Sequence, residues 1–312
     1  AIGRITMKRL EEKGYPRDYA CALVASGACT GILIPPSIAY IIIGLVLGIS
    51  SSTLFQAAFV PGVMILGTVM ITNAIMNRIR GYEHSTGRFS LKRWLSALNH
   101  AKWALLIPFI ILGGIYSGIF TPTESAAVAC VYAFLVTMFI YRDYKWSELP
   151  LLVGRVVRTV GMVMIMIGFS VAFGYMMAIM QVPAKVTAFF LTIADDKYTL
   201  LFLINILLLV LGTFMDLAPM LLICTPIFLP VVTMFGIDPV HFGIIMILNL
   251  GIGLLTPPVG PTLVVGCAIG KVTMEAVSKS IMIFYIPMLI VLVLVTYIPA
   301  LTLWLPSVLL GK

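Results

Sequence analysis

Charged residues are scarce in this sequence. Only 10% of its 312 residues are Asp, Glu, Lys or Arg, whereas an ordinary soluble domain has about 25%. Hydrophobic residues make up 61% of the chain, and the mean hydropathy is +1.11. This composition excludes a water-soluble globule and predicts an all-α polytopic membrane protein, because helices satisfy their own backbone hydrogen bonds in lipid.

The residues of common catalytic and metal sites are also few. The five cysteines lie in apolar stretches without Cys-x-x-Cys spacing, so we interpret them as small buried hydrophobes. His84, His100 and His241 lack metal-ligand spacing. An intramembrane aspartyl protease needs two carboxylates within the membrane, and Asp216 is the only one predicted there. We therefore predict no enzyme and keep an intramembrane enzyme as a distant alternative.

Long apolar segments dominate what remains. Simple spans are predicted at residues 54–76, 104–120, 122–141, 159–180 and 281–304. Residues 19–50 would form a straight helix of about 48 Å, too long for one crossing of a core of about 30 Å, and Pro35-Pro36 supplies a break. Residues 199–270 are predicted to be interrupted at five places, namely Gly212–Asp216, Pro226, Pro230, Gly236–Pro239 and Pro257-Pro258.

The distribution of basic residues predicts the orientation. If residues 199–232 form a re-entrant hairpin, 17 of the 20 Lys and Arg lie on one side, leaving Lys185, Lys197 and Lys312 on the other. The first side is then cytoplasmic and the C-terminus periplasmic. The topology in the lipid bilayer thus explains the net charge of +8, because basic residues collect in the cytoplasmic loops, and we predict no nucleic-acid partner. Leu91, Trp94, Leu95 and Leu98 predict an interfacial helix after a Ser90 cap.

The two broken segments are related by an internal repeat. An offset of 222 residues aligns 14–51 with 236–273 and gives seven identities, six of them Gly or Pro. Gly-Ile-Leu-Ile-Pro-Pro at 31–36 corresponds to Gly-Leu-Leu-Thr-Pro-Pro at 253–258. The charge distribution makes the two copies inverted. Inverted repeats with broken helices are typical of secondary transporters.

Each break is predicted to bind ions. Proline has no N–H, so we expect the carbonyls of Gly31, Ile32, Gly253 and Leu254 to lose their helical partners. Ile34 and Thr256 precede prolines and should be extended, and Thr256 adds a hydroxyl. Gly212 and Thr213 are candidates to offer oxygens to the same cation. Oxygen ligands with few full charges suit Na⁺.

A half-helix begins after each break, and its positive N-terminus suits a carboxylate. Seven residues at these N-termini are assigned to the anion: Pro35, Pro36, Ser37, Pro257, Pro258, Gly260 and Thr262. Asp216 is predicted to cap the helix that returns from the hairpin turn, with direct cation ligation as the other possibility. If Asp216 were instead a proton site, the chain would be a self-sufficient proton-coupled anion carrier.

Several motifs resemble those of a known family, the large membrane (M) subunit of tripartite ATP-independent periplasmic (TRAP) transporters. They are Gly-Ile-Leu-Ile-Pro-Pro-Ser at 31–37, Leu54-Phe55, Pro61-Gly62, Thr-Pro-Thr-Glu at 121–124, Gly-Thr-Phe-Met-Asp at 212–216, Pro226 to Pro230, Asp-Pro-Val-His-Phe-Gly at 238–243 and Thr-Pro-Pro-Val-Gly at 256–260. The resemblance implies an elevator-type, Na⁺-driven importer of the ion transporter superfamily in the bacterial inner membrane. Its implied substrate is an organic acid such as a C4-dicarboxylate or sialic acid, and its implied partners are a small four-helix membrane subunit and a periplasmic substrate-binding protein.

The resemblance also implies two Na⁺ sites and a domain organisation. One site would use Gly212, Gly253, Thr256 and Val259, and the other the loop around Gly31, Ile34 and Ser37. Residues 1–76 and 199–312 would form the two transport-domain repeats, and residues 77–198 the interfacial arm and scaffold helices. In the second repeat we expect a hairpin at 199–232, a broken helix at 238–270 and a last helix at 281–304. The family pattern further predicts a missing N-terminal part with the first hairpin tip.

Overall fold

A computed structural model describes residues 2–82 and 90–310, and these form helices with no strand. Ala1, His84, Arg88 and Lys312, which enter the predictions above, lie outside the described residues. The first four helices are α1 (Ile2–Glu12), α2 (Arg17–Leu33), α3 (Ile38–Leu47) and α4 (Ser51–Arg80). The next four are α5 (Leu91–Tyr116), α6 (Pro122–Leu135) with a π-helical end (Val136–Tyr141), α7 (Leu149–Ile179) after a 3₁₀ turn (Trp146–Glu148), and α8 (Val182–Ile193). The last six are α9 (Lys197–Phe214), α10 (Leu217–Met234), α11 (Pro239–Gly253), α12 (Pro261–Gly270), α13 (Met274–Tyr297) and α14 (Ala300–Leu310).

The all-α membrane fold is confirmed. Within the described ranges, seven helices are long and apolar enough to cross a membrane, or eight if the bent pair α2–α3 is one span. The bend between α2 and α3 is 42° and lies at Pro35-Pro36, where the break in residues 19–50 was predicted. Helices α9 and α10 cover residues 197–234 with a turn at Met215 and Asp216, and each is long and apolar enough to cross a membrane, so the re-entrant path of the hairpin at 199–232 stays a prediction.

The helices differ from the predictions at several places. Helix α5 runs without interruption from Leu91 through the predicted start of a span at 104, because residues 98–104 contain neither Gly nor Pro. The predicted last helix at 281–304 is wrong in extent, since α13 ends at Tyr297 ahead of Pro299 and α14 follows. Pro226 and Pro230 do not interrupt α10, which packs on α3, α8 and α11. Helix α8 was not predicted.

The described residues divide into two compact units, one from residues 2–82 and 170–310 and the other from 90–169. In the second unit, α5 and α6 run antiparallel, and the hydroxyl of Tyr132 donates to the Trp103 carbonyl at 3.0 Å. Helix α6 begins with a capping box, in which Thr121 and Glu124 bond each other's backbone amides.

Helix α11 is the centre of the first unit. Every residue from His241 to Gly253 is buried, as expected for a helix that is apolar on all sides. It packs on α2, α3, α4, α9, α10, α13 and α14. Asp238 is the N-cap of α11, and Asp196 is the N-cap of α9, which packs on α11. Hydrogen bonds from Thr199 lower the pKa of Asp196. The bond from the Thr199 hydroxyl has the largest effect, and the bond from its backbone amide has the next largest.

Candidate functional site

Both breaks and the hairpin turn open onto one cavity of about 470 Å³ within the first unit. Asp216 comes from the turn between α9 and α10, Ser37 from the first break, and Leu254 and Thr262 from the two sides of the second break. The full lining is Gly31, Ile32, Pro36, Ser37, Ile38, Ala39, Ile42, Asp216, Leu217, Ala218, Leu221, Leu254 and Thr262. The predicted convergence of these three segments is therefore present in the structure.

The first break is short and internally bonded. Ile34 has φ −82° and ψ 123°, an extended conformation as predicted from the following proline. Ser37 is the N-cap of α3, and its hydroxyl accepts from the Ala39 amide at 3.4 Å. The Tyr40 hydroxyl reaches back across the break and donates to the Leu33 carbonyl at 2.9 Å. Helix α4 packs closely here at Gly62, where a Cβ would lie 3.1 Å from Ile34 Cγ1.

The second break is longer, because α11 ends at Gly253 and α12 begins at Pro261. We predicted that the Gly253 carbonyl would have no partner, and this is wrong. The chain tightens here, so the Thr256 amide donates to that carbonyl at 2.9 Å. Gly260 has φ +38°, and a Cβ on it would lie 2.9 Å from the Leu254 oxygen and 3.0 Å from the Thr256 oxygen. Two carbonyl oxygens of this break therefore converge on Gly260, where only glycine leaves room. Both Pro-Pro bonds, 35-36 and 257-258, are cis.

The hairpin touches the second break through its backbone. A Cβ on Gly253 would lie 2.9 Å from Gly212 Cα, so α9 and α11 meet at two glycines. The Gly260 amide donates to the Thr213 carbonyl at 3.1 Å, which joins the end of α9 to the end of the break. The Thr213 hydroxyl donates to Leu209 O at 2.9 Å within its own helix. Four of the predicted cation residues, Gly212, Thr213, Gly253 and Thr256, are thus brought together.

Tyr285, which the sequence analysis did not identify, contacts Thr256. The hydroxyl groups of Thr256 and Tyr285 are hydrogen-bonded at 3.0 Å, and Thr256 Oγ1 also lies 3.2 Å from the Ile252 carbonyl oxygen. Tyr285 belongs to α13, an apolar helix that also ends in Tyr297, and its position in the sequence gives no signal of a functional role.

Asp216 is a helix cap, as predicted. It is the N-cap of α10, and its Oδ1 accepts from the Leu217 amide at 2.8 Å. Its side chain is exposed to the cavity. A carboxylate at this helix N-terminus also interacts favourably with the helix dipole.

The other predicted site residues lie in or beside the same breaks. Pro36, Ser37 and Thr262 line the cavity, together with Gly31. Val259 is exposed next to Gly260. Pro35, Pro257, Pro258 and Gly260 form the breaks without lining the cavity.

The donor set fits an alkali cation better than a transition metal. Across residues 2–82 and 90–310, no three His, Cys, Asp or Glu side chains are grouped so that they could hold a metal ion. The groups that converge at the second break are backbone carbonyls and hydroxyls, which are neutral oxygen ligands. The Gly260 cradle, which a Cβ would fill, keeps two of these oxygens close together.

Comparison with known proteins identifies the class. The family model "Tripartite ATP-independent periplasmic transporter, DctM component" matches residues 1–301. The chain is 38% identical to the isethionate TRAP transporter permease DctMQ of Oleidesulfovibrio alaskensis over 96% of its own length and 47% of that protein. It is 38% identical to the C4-dicarboxylate large permease DctM of Pseudomonas aeruginosa (98% of this chain, 72% of the relative) and 37% identical to the sialic acid large permease SiaM of Vibrio cholerae (99% and 72%).

The chain belongs to the DctM family of TRAP transporter large permeases. The resemblance seen in the motifs is thereby confirmed. These relatives are membrane permeases and not enzymes, as the sequence predicted. The chain spans about half the length of the DctMQ relative and about seven tenths of the other two.

Proposed function

We propose that this chain carries out Na⁺-coupled uptake of an organic acid across the bacterial inner membrane, as the large subunit of a TRAP transporter. One observation carries the proposal: a single cavity of about 470 Å³ joins the first break, the second break and the hairpin turn. Ligand sites at broken helices of an inverted repeat are the general arrangement of secondary transporters.

The second break supplies the groups for the cation. The Leu254 and Thr256 carbonyls converge on Gly260, and the Thr256 hydroxyl is positioned by Tyr285. Gly212 and Thr213 lie against this loop through the Gly212–Gly253 contact and the Gly260 amide. Na⁺ bound here would neutralise the partial negative charge of these oxygens. The pseudo-symmetric loop of Gly31, Ile34 and Ser37 would hold a second Na⁺.

The anion would bind at the N-terminus of α12. This helix begins at Gly260 without a side-chain cap, so its first amides are available to a carboxylate or sulfonate oxygen. Thr262, in its first turn, lines the cavity and offers a hydroxyl. The other two helix N-termini at the cavity are already capped, α3 by Ser37 and α10 by Asp216.

Coupling follows from the shared position of Gly260. Its amide is bonded to Thr213, a Cβ on it would lie within 3.0 Å of the Leu254 and Thr256 oxygens of the proposed cation site, and it is the N-cap of the proposed anion-binding helix. Cation binding would therefore order the helix N-terminus that receives the anion. Binding Na⁺ and the anion together also leaves less net charge in the membrane interior than binding either ion alone, which is favourable.

The remaining parts of the proposal concern the assembly. The family name states a tripartite transporter, and we infer a small four-helix membrane subunit and a periplasmic substrate-binding protein as partners. The substrate is an organic acid anion; relatives are named for isethionate, C4-dicarboxylates and sialic acid. We infer an elevator movement of the repeats and a periplasmic C-terminus. A self-sufficient proton-coupled carrier has less support, because Asp216 serves as a helix cap.

Reconstituted transport tests the proposal. The native permease, its small subunit and its binding protein would be placed in proteoliposomes and offered radiolabelled isethionate, succinate and sialic acid in turn. An inward Na⁺ gradient should drive accumulation of at least one of them, whereas an equal K⁺ or proton gradient should not. Accumulation that is unchanged when choline replaces Na⁺ would reject the coupling.

A further inference from the structure

Three sulfur atoms meet where α2, α12 and α13 pack together, at the helix ends predicted to face the cytoplasm. The Cys267 thiol of α12 donates to Sδ of Met274, the first residue of α13, at 3.8 Å. Cys21 of α2 and Cys267 are side-chain hydrogen-bond partners. A Cβ on Gly266 would lie 3.2 Å from Cys21 Sγ, so the Cys21 sulfur lies against α12 beside Cys267. Two thiols and one thioether therefore share one location.

The spacing of these sulfurs suits one metal ion. A metal–sulfur bond is about 2.3 Å long, so two sulfurs bound to the same ion lie about 3.8 Å apart in tetrahedral geometry and about 4.0 Å apart in trigonal geometry. The 3.8 Å between Cys267 Sγ and Met274 Sδ already has this value. An ion would therefore replace the thiol proton between these two sulfurs without pushing α12 and α13 apart.

The cluster is largely buried and has a pocket beside it. Cys21 is 1% exposed, and Cys267 and Met274 are half-buried. A pocket of about 260 Å³ has Met7 and Gly270 in its wall. A Cβ on Gly270 would lie 3.5 Å from Met7 Sδ, and Gly270 follows Cys267 by three residues, on the same side of α12. A fourth sulfur therefore lies in the wall of the pocket, on the side of α12 that carries Cys267.

Sulfur donors select a soft metal. Thiolate and thioether ligands favour Cu(I). Zn²⁺ is almost always held by four ligands in structural sites, and residues 2–82 and 90–310 contain no group of three His, Cys, Asp or Glu that would supply such a site. A cuprous ion that displaces one thiol proton also leaves the net charge of the cluster unchanged, which avoids the cost of burying a charge.

We propose that Cys21, Cys267 and Met274 bind a soft monovalent metal ion, Cu(I). The S–H bond of Cys267 breaks, its proton leaves to water, and a Cu–S bond forms in its place; no electron is transferred. Cys21 and Met274 donate sulfur lone pairs to the ion. The bound ion would link α2 to α12, one from each broken segment. None of the three residues lines the cavity of about 470 Å³, so the site does not depend on Na⁺ coupling.

Cu(I) binding to the purified native permease tests the site. The protein would be titrated, in anaerobic buffer with ascorbate, into the coloured complex of Cu(I) with ferrozine, and the loss of colour measures the metal that the protein takes. We expect the wild type to take one Cu(I) per chain. Cys267→Ala and Cys21→Ala should each abolish this transfer. Met274→Leu, which keeps an apolar side chain of similar size, should weaken the affinity at least about tenfold.

Cys29→Ala and Cys130→Ala are the matched controls. Cys29 lies on α2 about two turns after Cys21 and is equally buried, and Cys130 is an exposed cysteine of the second unit. Both variants should take one Cu(I) as the wild type does. If Cys21→Ala does not fold, Ag(I), which is also soft and monovalent, tests the site by thermal unfolding. It should raise the unfolding midpoint of the wild type and of Cys29→Ala, and leave that of Cys267→Ala unchanged.

Three results would overturn the proposal. The first is a wild-type protein that takes no Cu(I) from ferrozine. The second is loss of the ion in Cys29→Ala or Cys130→Ala, because a single cysteine elsewhere would then hold the metal. The third is wild-type affinity in Cys267→Ala and Met274→Leu. Each of these results leaves Na⁺-driven uptake untouched, so the site and the proposed function stand or fall separately.

Discussion

Gly212 and Gly253 hold helices α9 and α11 in backbone contact: a Cβ on Gly253 would lie 2.9 Å from Gly212 Cα and 3.1 Å from its carbonyl carbon. The contact places the C-terminal end of α9 on the last turn of α11. Because neither glycine has a side chain, the two helices approach closely enough for the oxygens of both segments to share one site.

Gly253→Ala should break this contact. Because backbone atoms are the obstacle, α9 must move, and we expect a loss of about 1–3 kcal/mol of stability together with a weaker stabilisation by Na⁺. Thermal unfolding with and without NaCl measures both effects. Gly251→Ala is the control two residues away, where the nearest atom to an added Cβ is Cys29 Sγ at 3.4 Å. Equal behaviour of the two variants would contradict the role of the contact.

Thr256→Val should raise the Na⁺ concentration needed for half-maximal uptake about tenfold, because it removes a hydroxyl oxygen while keeping the side-chain shape. Tyr285→Phe removes only the hydrogen-bonding partner of Thr256 and should have a smaller effect. Thr256→Ser should retain near-native Na⁺ dependence. The prediction is wrong if Tyr285→Phe impairs Na⁺ dependence as strongly as Thr256→Val, since Thr256 would then serve only to position Tyr285.

Asp216→Asn separates a helix cap from a proton site. Asn is as good an N-cap as Asp, so this variant should keep both Na⁺-driven uptake and its unfolding midpoint. Asp216→Ala should lower stability by about 0.5–2 kcal/mol through loss of the cap. Uptake driven by a pH gradient in the wild type and lost in Asp216→Asn would support the proton-coupled carrier instead.

Gly31→Leu should block substrate binding without unfolding the protein. Gly31 lines the cavity, and no atom lies within 4 Å of an added Cβ, so the leucine would project into space that the substrate needs. Gly27→Leu, one turn earlier and equally unobstructed, is the matched control outside the cavity. Uptake rate and unfolding midpoint are compared for both. Normal uptake by Gly31→Leu would show that the substrate binds elsewhere.

The sequence predicted those parts of the fold that local chemistry determines. Pro35-Pro36 and Pro257-Pro258 end helices because proline lacks an N–H, and Asp216 caps a helix because its carboxylate reaches the next amide. These rules operate within a few residues, so they can be read from one segment. They also predicted the turn between α9 and α10 and the breaks that follow α2 and α11.

Contacts between distant segments could not be predicted in this way. Pro226 and Pro230 obey the same local rule, yet α10 continues through them because neighbouring helices support it. The Thr256–Tyr285 bond and the Asn205–Asn249 pair join residues 29 and 44 positions apart. Tertiary packing decides each of these.

Thiol protection tests most directly whether both breaks form one binding cavity. Single cysteines at Ser37 and Thr262, introduced into a permease in which its native cysteines are replaced, would be labelled in membranes by a maleimide, with Gly27→Cys as the control outside the cavity. We expect the transported organic acid with Na⁺ to slow labelling of Ser37→Cys and Thr262→Cys over the same concentration range, and to leave Gly27→Cys unchanged. Protection at one break without the other, or at neither, would contradict a shared site.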